Sequence, residues 1–246
     1  MNYLEPIAEK LIDAVVRYGE ILNEEKKAAN SYDFSDICHF ALKLLVSYDK
    51  DGKAHKTPLA ESFAERFEEI LVDEYQDVND LQNTLFWAVS KNETNMFTVG
   101  DVKQSIYRFR QAMPEIFLQK RKALENFEGD NYPAKITLDR NFRSRSGVTE
   151  NVNFLFSQIM SSYLGSVNYN KNEQLVAAAD YEESNFPEAE MYILGDMEEK
   201  VGRESEAQFI ADKIHEIISG GMKVKDKNGY RKASYRDFCI LLRSAG

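Results

Sequence analysis

No run of eighteen apolar residues occurs in this 246-residue chain, which excludes a membrane-spanning helix of ordinary length. The opening stretch, MNYLEPIAEKLIDAVV, has neither a basic start nor a continuous apolar run, so it does not read as a signal peptide. Glu5, Glu9 and Asp13 interrupt it at helical spacing instead. Cysteine is scarce. Cys38 and Cys239 stand too far apart in sequence to suggest a metal pair, and they make no disulfide framework. Internal repeats and low-complexity tracts are absent as well. The simplest expectation is a cytoplasmic protein with no membrane partner.

What is present supports a packed core: 43% of residues are hydrophobic, 12% aromatic and 29% charged. That suffices for one large domain or two small ones. The net charge of −10 argues against nonspecific nucleic-acid binding over the whole surface. The charge is uneven, however. From Lys103 to Arg145 ten basic residues face five acidic ones, a local balance of +5 in an acidic chain. Such an island is either a binding face or chance clustering on solvated helices.

Hydrophobic periodicity sets out the elements. Ile7, Leu11, Val15, Tyr18 and Leu22 recur at helical spacing. A second helix is expected over 33–48, with Ile37, Ala41, Leu44, Leu45 and Tyr48 on one side. Asp49 to Gly52 reads as a turn. Thr57-Pro58 then reads as an N-cap with proline at the first helical position. Short apolar runs at 70–72, 96–99 and 136–138 predict strands buried on both faces. Helices are expected around 80–91, 114–126, 147–163 and 204–218, and further strands at 191–194 and 238–242. Asn228-Gly229 is a hairpin turn signal. Strands alternating with helices imply an α/β fold with a mostly parallel sheet, whose ligands sit at the carboxyl ends of the strands.

Three polar clusters follow such strands. Asp73-Glu74-Tyr75-Gln76-Asp77 packs three carboxylates into five residues, so it needs a counter-charge or a metal. It reads either as the Mg²⁺ and water-activating half of a nucleotide-hydrolysing site or as a solvated acidic helix start. In the second, Gln104 could sense a phosphate, while Tyr107, Arg108, Phe109 and Arg110 interleave rings and guanidiniums. That composition suits a single-strand platform, and equally an amphipathic helix with aromatics in the core. In the third, Leu138 to Ser146, an arginine could act as a finger on a γ-phosphate and Phe142 could stack on a purine. The alternative is a basic loop capped by Ser146 at a helix start.

Order and spacing together point further. LVDEYQD resembles the Walker B box of UvrD/Rep-type superfamily 1 DNA helicases, VGDVKQSIYRFRQA the next box, and LDRNFRS the one after. Asp33 to Ile37 is similar to an element that precedes Walker B in the family, and Tyr235 to Ser244 to a strand of its second motor domain. The FSD and KQSIYRFR forms are similar to the AddA branch of helicase–nuclease subunits. The resemblance spans roughly residues 33 to 244.

It implies partial RecA-like, P-loop NTPase sheets. Residues 1–66 would be a helical segment, 67–136 the C-terminal part of the first motor domain, and 137–246 the N-terminal part of the second. It implies ATP and Mg²⁺ as cofactors. The implied partners are DNA, single-stranded and duplex, together with an AddB-like nuclease subunit. Asp73 would bind Mg²⁺ and Glu74 would be the catalytic base. Gln76 and Asp77 would couple nucleotide state to movement. Gln104 would contact the γ-phosphate. Tyr107 and Phe109 would stack on bases with Arg110 in support. Phe142 would stack on adenine, and Arg143 would be the γ-phosphate finger.

The chain departs from the family in lacking the phosphate loop, the adenine-binding glutamine segment, the later boxes that supply a second arginine and the nuclease domain. No G-x-x-x-x-G-K-[ST] loop occurs; at Lys56-Thr57, His55 stands where glycine is required. The expectation is therefore an internal fragment of a DNA-translocating repair enzyme, inactive alone. The competing expectation is a non-catalytic DNA-binding or scaffold module. Two decoys are set aside. The acids near Asp49 and Asp51 lack a calcium loop's end residues, and Asp101-Val102-Lys103 is explained by the helicase box rather than by a nuclease site.

Overall fold

The computed structural model describes residues 5–195, 199–227 and 229–242. The chain divides into two compact units, 1–136 and 137–246.

The first unit opens on α1 (Glu5–Ala29), whose apolar stripe of Ile7, Leu11, Val15 and Tyr18 is exposed. Its last turn is tied down by Lys26, which meets Asp33 at 3.0 Å and Asp36 at 2.7 Å. Asp33 then caps α2 (Phe34–Leu45) in a capping box with Asp36. The sequence predicts this helix to 48, but it stops at Leu45. Val46 turns extended and begins β1 (Val46–Tyr48), which pairs antiparallel with β2 (Ala54–Lys56). Burial decides the break: Leu45 and Val46 join Ala60 and Ala88 in the core, against Leu42, Phe63 and Trp87. Thr57 serves two helices. Its hydroxyl and amide satisfy the Leu44 and Leu45 carbonyls at 2.8 and 3.0 Å, and its oxygen caps α3 (Pro58–Arg66) through the Ala60 N–H.

β3 (Ile70–Val72) follows, then α4 (Asp80–Val89), capped by an Asn79–Gln82 box, and β4 (Met96–Thr98). β3 and β4 pair in parallel, with Leu71 opposite Phe97. Burial on both faces is not what they show: Leu71 is 69% exposed and Phe97 58%. α5 (Pro114–Ala123) and a short parallel pair, β5 (Glu125–Asn126) with β6 (Ala134–Lys135), complete the unit. The run at 136–138 is not a strand; Ile136 and Leu138 lie exposed in irregular chain.

The second unit holds β7 (Arg140–Asn141), α6 (Ser146–Ile159), β8 (Val176–Ala177), α7 (Glu199–Ser219), β9 (Lys223–Asp226) and β10 (Gly229–Lys232). β7 and β8 are parallel, and β9 and β10 form an antiparallel hairpin. Gly229 takes a φ of 116°, open to glycine alone at little cost, while position 228 of the turn signal lies outside the described residues. The strands expected at 191–194 and 238–242 are irregular chain. A strand needs a hydrogen-bonded neighbour, and these apolar stretches have none among the described residues. The fold is mixed α/β with small parallel sheets. Among the described residues no helix is long and apolar enough to cross a membrane.

Candidate functional site

Parallel pairing sends β3 and β4 out on the same side, so the loops after them leave together. The ladder continues past both strands: Val99 N–H donates to the Val72 carbonyl at 2.9 Å, and Tyr75 N–H to the Val99 carbonyl at 2.8 Å. Between them the chain makes a tight corner. Asp73 Oδ1 accepts the Glu74 N–H at 2.9 Å, and Glu74 sits in the left-handed region at φ 52°, ψ 41°. Non-glycine residues occupy that region at a cost, and such strain concentrates at functional positions. Both carboxylates are exposed.

Tyr75 anchors the corner from beneath. Its fully buried ring packs edge-on against Phe117, and its hydroxyl donates to Asn83 Oδ1 at 2.5 Å. Burial, then the charge of Glu93, pushes the phenol up to about 12. Gln76, 1% exposed, joins the two loops. Its Nε2 donates to Glu74 Oε2 at 2.6 Å, and its Oε1 accepts the Asp101 N–H at 3.0 Å. This needs a residue without a side chain opposite: a Cβ on Gly100 would stand 2.6 Å from Gln76 Oε1. Asp77 follows, one oxygen buried without a hydrogen-bond partner. Burial and the Glu74 charge hold its carboxyl above the ordinary range, against the Ser105 hydroxyl.

The second cluster is a pair of single 3-10 turns, Val102–Gln104 and Arg108–Arg110, and not an amphipathic helix. Gln104 is exposed, and its Nε2 donates to Asp101 Oδ2 at 3.0 Å. Burial raises the Asp101 carboxyl, but bonds from Lys103 and Gln104 outweigh it and hold the group low. Tyr107 and Phe109, 39% and 76% exposed, lie 5.8 Å apart at a 47° tilt. The Arg110 guanidinium stands 5.3 Å from the first ring and 5.6 Å from the second. The three side chains therefore form one solvent-facing patch of rings and positive charge.

In the second unit, Phe142 and Arg143 project exposed from the loop after β7. Asn141 Oδ1 shapes that loop, accepting the Arg143 N–H at 2.9 Å and the Ser144 N–H at 2.8 Å. Ser146 does not cap α6, as the sequence suggests; it is the first helical residue, and Arg145 at the cap position makes no side-chain cap. The Gly147 N–H is taken instead by Glu188 Oε2 at 2.5 Å. Nothing local in the sequence signals Glu188, which lies 41 residues away.

Among the described residues no three His, Cys, Asp or Glu side chains gather to hold a metal. Magnesium bound with a nucleotide needs only one or two carboxylates beside the phosphates, and exposed Asp73 next to Glu74 fits that demand.

Residues 4–125 match the UvrD/REP helicase N-terminal domain family. The chain is also similar to proteins named as the A subunit of an ATP-dependent helicase/nuclease. It is 40% identical to that of Bacillus pumilus over 98% of its length, 39% to that of Staphylococcus aureus over 100%, and 37% to that of Clostridium beijerinckii over 97%. It spans about a fifth of the length of these relatives, 20–21%. Residues 4–125 thus belong to the UvrD/REP helicase N-terminal domain family, and the chain is similar over nearly its whole length to ATP-dependent helicase/nuclease A subunits.

Proposed function

We propose that the chain forms part of an ATP-driven motor that translocates on single-stranded DNA, within a helicase/nuclease that serves double-strand break repair and recombination. The observation that carries this reading is the clamp of Gln76 between Glu74 and Asp101, at the carboxyl ends of two parallel strands. Parallel sheets bind ligands at that end. The reading takes the fold as parts of two RecA-like domains, bounded near residue 136.

Within it, Asp73 would hold the Mg²⁺ of the nucleotide, whose charge offsets that of the phosphates. Glu74 would accept a proton from the attacking water on its carboxylate, one oxygen of which Gln76 Nε2 holds at 2.6 Å. Gln104 would lie against the γ-phosphate, with Asp101 fixing its amide. Gln76 and Asp77 would relay nucleotide state. Arg143 would neutralise charge on the transferring phosphoryl group, and Phe142 would stack on adenine. Tyr107 and Phe109 would hold DNA bases, with Arg110 at the phosphates. A second subunit of nuclease type, AddB-like, would complete a cytoplasmic complex; the relatives are named as one lettered subunit, which supports such a partner.

The phosphate loop is absent from this sequence, so the chain by itself would bind ATP weakly and hydrolyse none. Exposure of the Tyr107–Phe109–Arg110 patch favours a second reading for the chain alone, a DNA-binding module without catalysis. DNA-stimulated ATP turnover by the full-length protein tests the first reading, and its absence would leave the second.

A further inference from the structure

The loop that carries Arg143 is held from outside as well as by Asn141. The Tyr181 hydroxyl donates to the Arg143 carbonyl at 2.5 Å. Tyr181 is itself held by two cations. The Arg145 guanidinium lies 4.8 Å from its ring centroid and the Lys225 ammonium 5.2 Å. Arg145 Nη1 donates to the Glu182 carbonyl at 2.6 Å, and Lys225 Nζ to the Asp180 carbonyl at 2.8 Å. The Tyr230 hydroxyl accepts the Glu182 N–H at 2.9 Å, so residues 180–182 are tied to the β9–β10 hairpin too. These contacts hold the ring without help from its hydroxyl. The hydroxyl adds one bond, and that bond falls on the backbone of Arg143.

We propose that Tyr181 is a positioning residue for Arg143, fixing the peptide from which the guanidinium extends. This rests on the reading of Arg143 as a phosphate contact. A long side chain multiplies any looseness at its root, and displacement of about 1 Å at a reacting group can cost on the order of a hundredfold in rate. The device joins the sequence box around Arg143 to a tyrosine 38 residues away.

Two measurements test it, the first without reference to catalysis. The tethered carbonyl belongs to the Arg143–Ser144 peptide, which trypsin cleaves. In the 246-residue chain, Tyr181→Phe keeps the ring against its cations and removes only the hydroxyl. Cleavage after Arg143 is expected to rise roughly fivefold, the weight of one ordinary hydrogen bond, with the thermal midpoint lowered by no more than about 2–4 °C. Should Tyr181→Phe fail to fold, Lys225→Met, which removes one of the two cations over the ring and its bond to the Asp180 carbonyl, is expected to move cleavage the same way. Unchanged cleavage in the folded variant would overturn the tether. In the full-length protein, Tyr181→Phe is expected to lower kcat several-fold with KM for ATP held. Unchanged kcat, where Arg143→Ala abolishes turnover, would overturn the positioning role. Turnover that survives Arg143→Ala would remove the reading beneath the proposal, whatever trypsin showed.

Discussion

Gln76 reaches back along its own chain to hold Glu74, Nε2 to Oε2 at 2.6 Å, while its other amide atom takes the Asp101 N–H. One buried amide therefore fixes both the proposed base and the loop that carries Gln104. Gln76→Leu keeps the volume and removes both bonds. The expected loss is about 1–3 kcal/mol in urea unfolding, because the Asp101 N–H stays buried without an acceptor. In the full-length protein kcat should fall more than KM rises. An unchanged unfolding midpoint would mean that the clamp does not hold the loops.

Gly100 makes that clamp possible by having no side chain. A Cβ there would meet Gln76 Oε1 at 2.6 Å and the Gln76 and Tyr75 backbone nitrogens at 3.2 and 3.3 Å. Gly100→Ala is expected to destabilise the chain by about 1–3 kcal/mol, as overpacking does. Pairing it with Gln76→Ala, which clears the nearest atom, should recover part of that loss. Simple additivity in this double-mutant cycle would contradict a shared contact.

Tyr75 gives a pH signature. Its folded-state phenol is pushed up to about 12 from an ordinary 10.0, so the fold favours the neutral form. The stability this supplies is complete below pH 10 and is lost as pH rises towards 12. Tyr75→Phe removes the dependence and strands Asn83 Oδ1, at about 1–3 kcal/mol near neutral pH. Urea unfolding of both proteins should therefore converge between pH 10 and 12. Parallel curves across that window would show that Tyr75 ionises as freely folded as unfolded.

For the aromatic patch, Tyr107→Ala and Phe109→Ala are each expected to weaken binding of a labelled single strand to the full-length protein by roughly 1–3 kcal/mol. Both rings are exposed, so thermal stability should barely move. Unchanged affinity, read by fluorescence anisotropy at fixed salt, would remove them from the DNA path.

Local chemistry was what the sequence made legible. Thr57-Pro58 starts a helix because a hydroxyl cap and a preset φ act within one turn. The runs at 70–72 and 96–98 form strands because each has the other to pair with. The runs at 136–138, 191–194 and 238–242 are as apolar but have no neighbour among the described residues, and pattern alone cannot supply one. The helix expected to 48 ends at Leu45 because Val46 enters the core and pairs with Lys56 across a hairpin, and both depend on segments beyond the helix. The carboxylates and the aromatic patch could be named from their boxes. Gln76 as a clamp, Gly100 as its space, and Glu188 and Tyr181 as distant supports depend on contacts between separate segments.

Glu74 is proposed above to activate water for ATP hydrolysis in a DNA-driven motor. The most direct test of that role compares single-strand-stimulated ATP turnover of the full-length protein with that of Glu74→Gln, measuring ATP binding in both. Turnover is expected in the wild type, and in the variant ATP binding retained with kcat reduced by on the order of a hundredfold or more. DNA-stimulated turnover that survives Glu74→Gln undiminished would contradict that role.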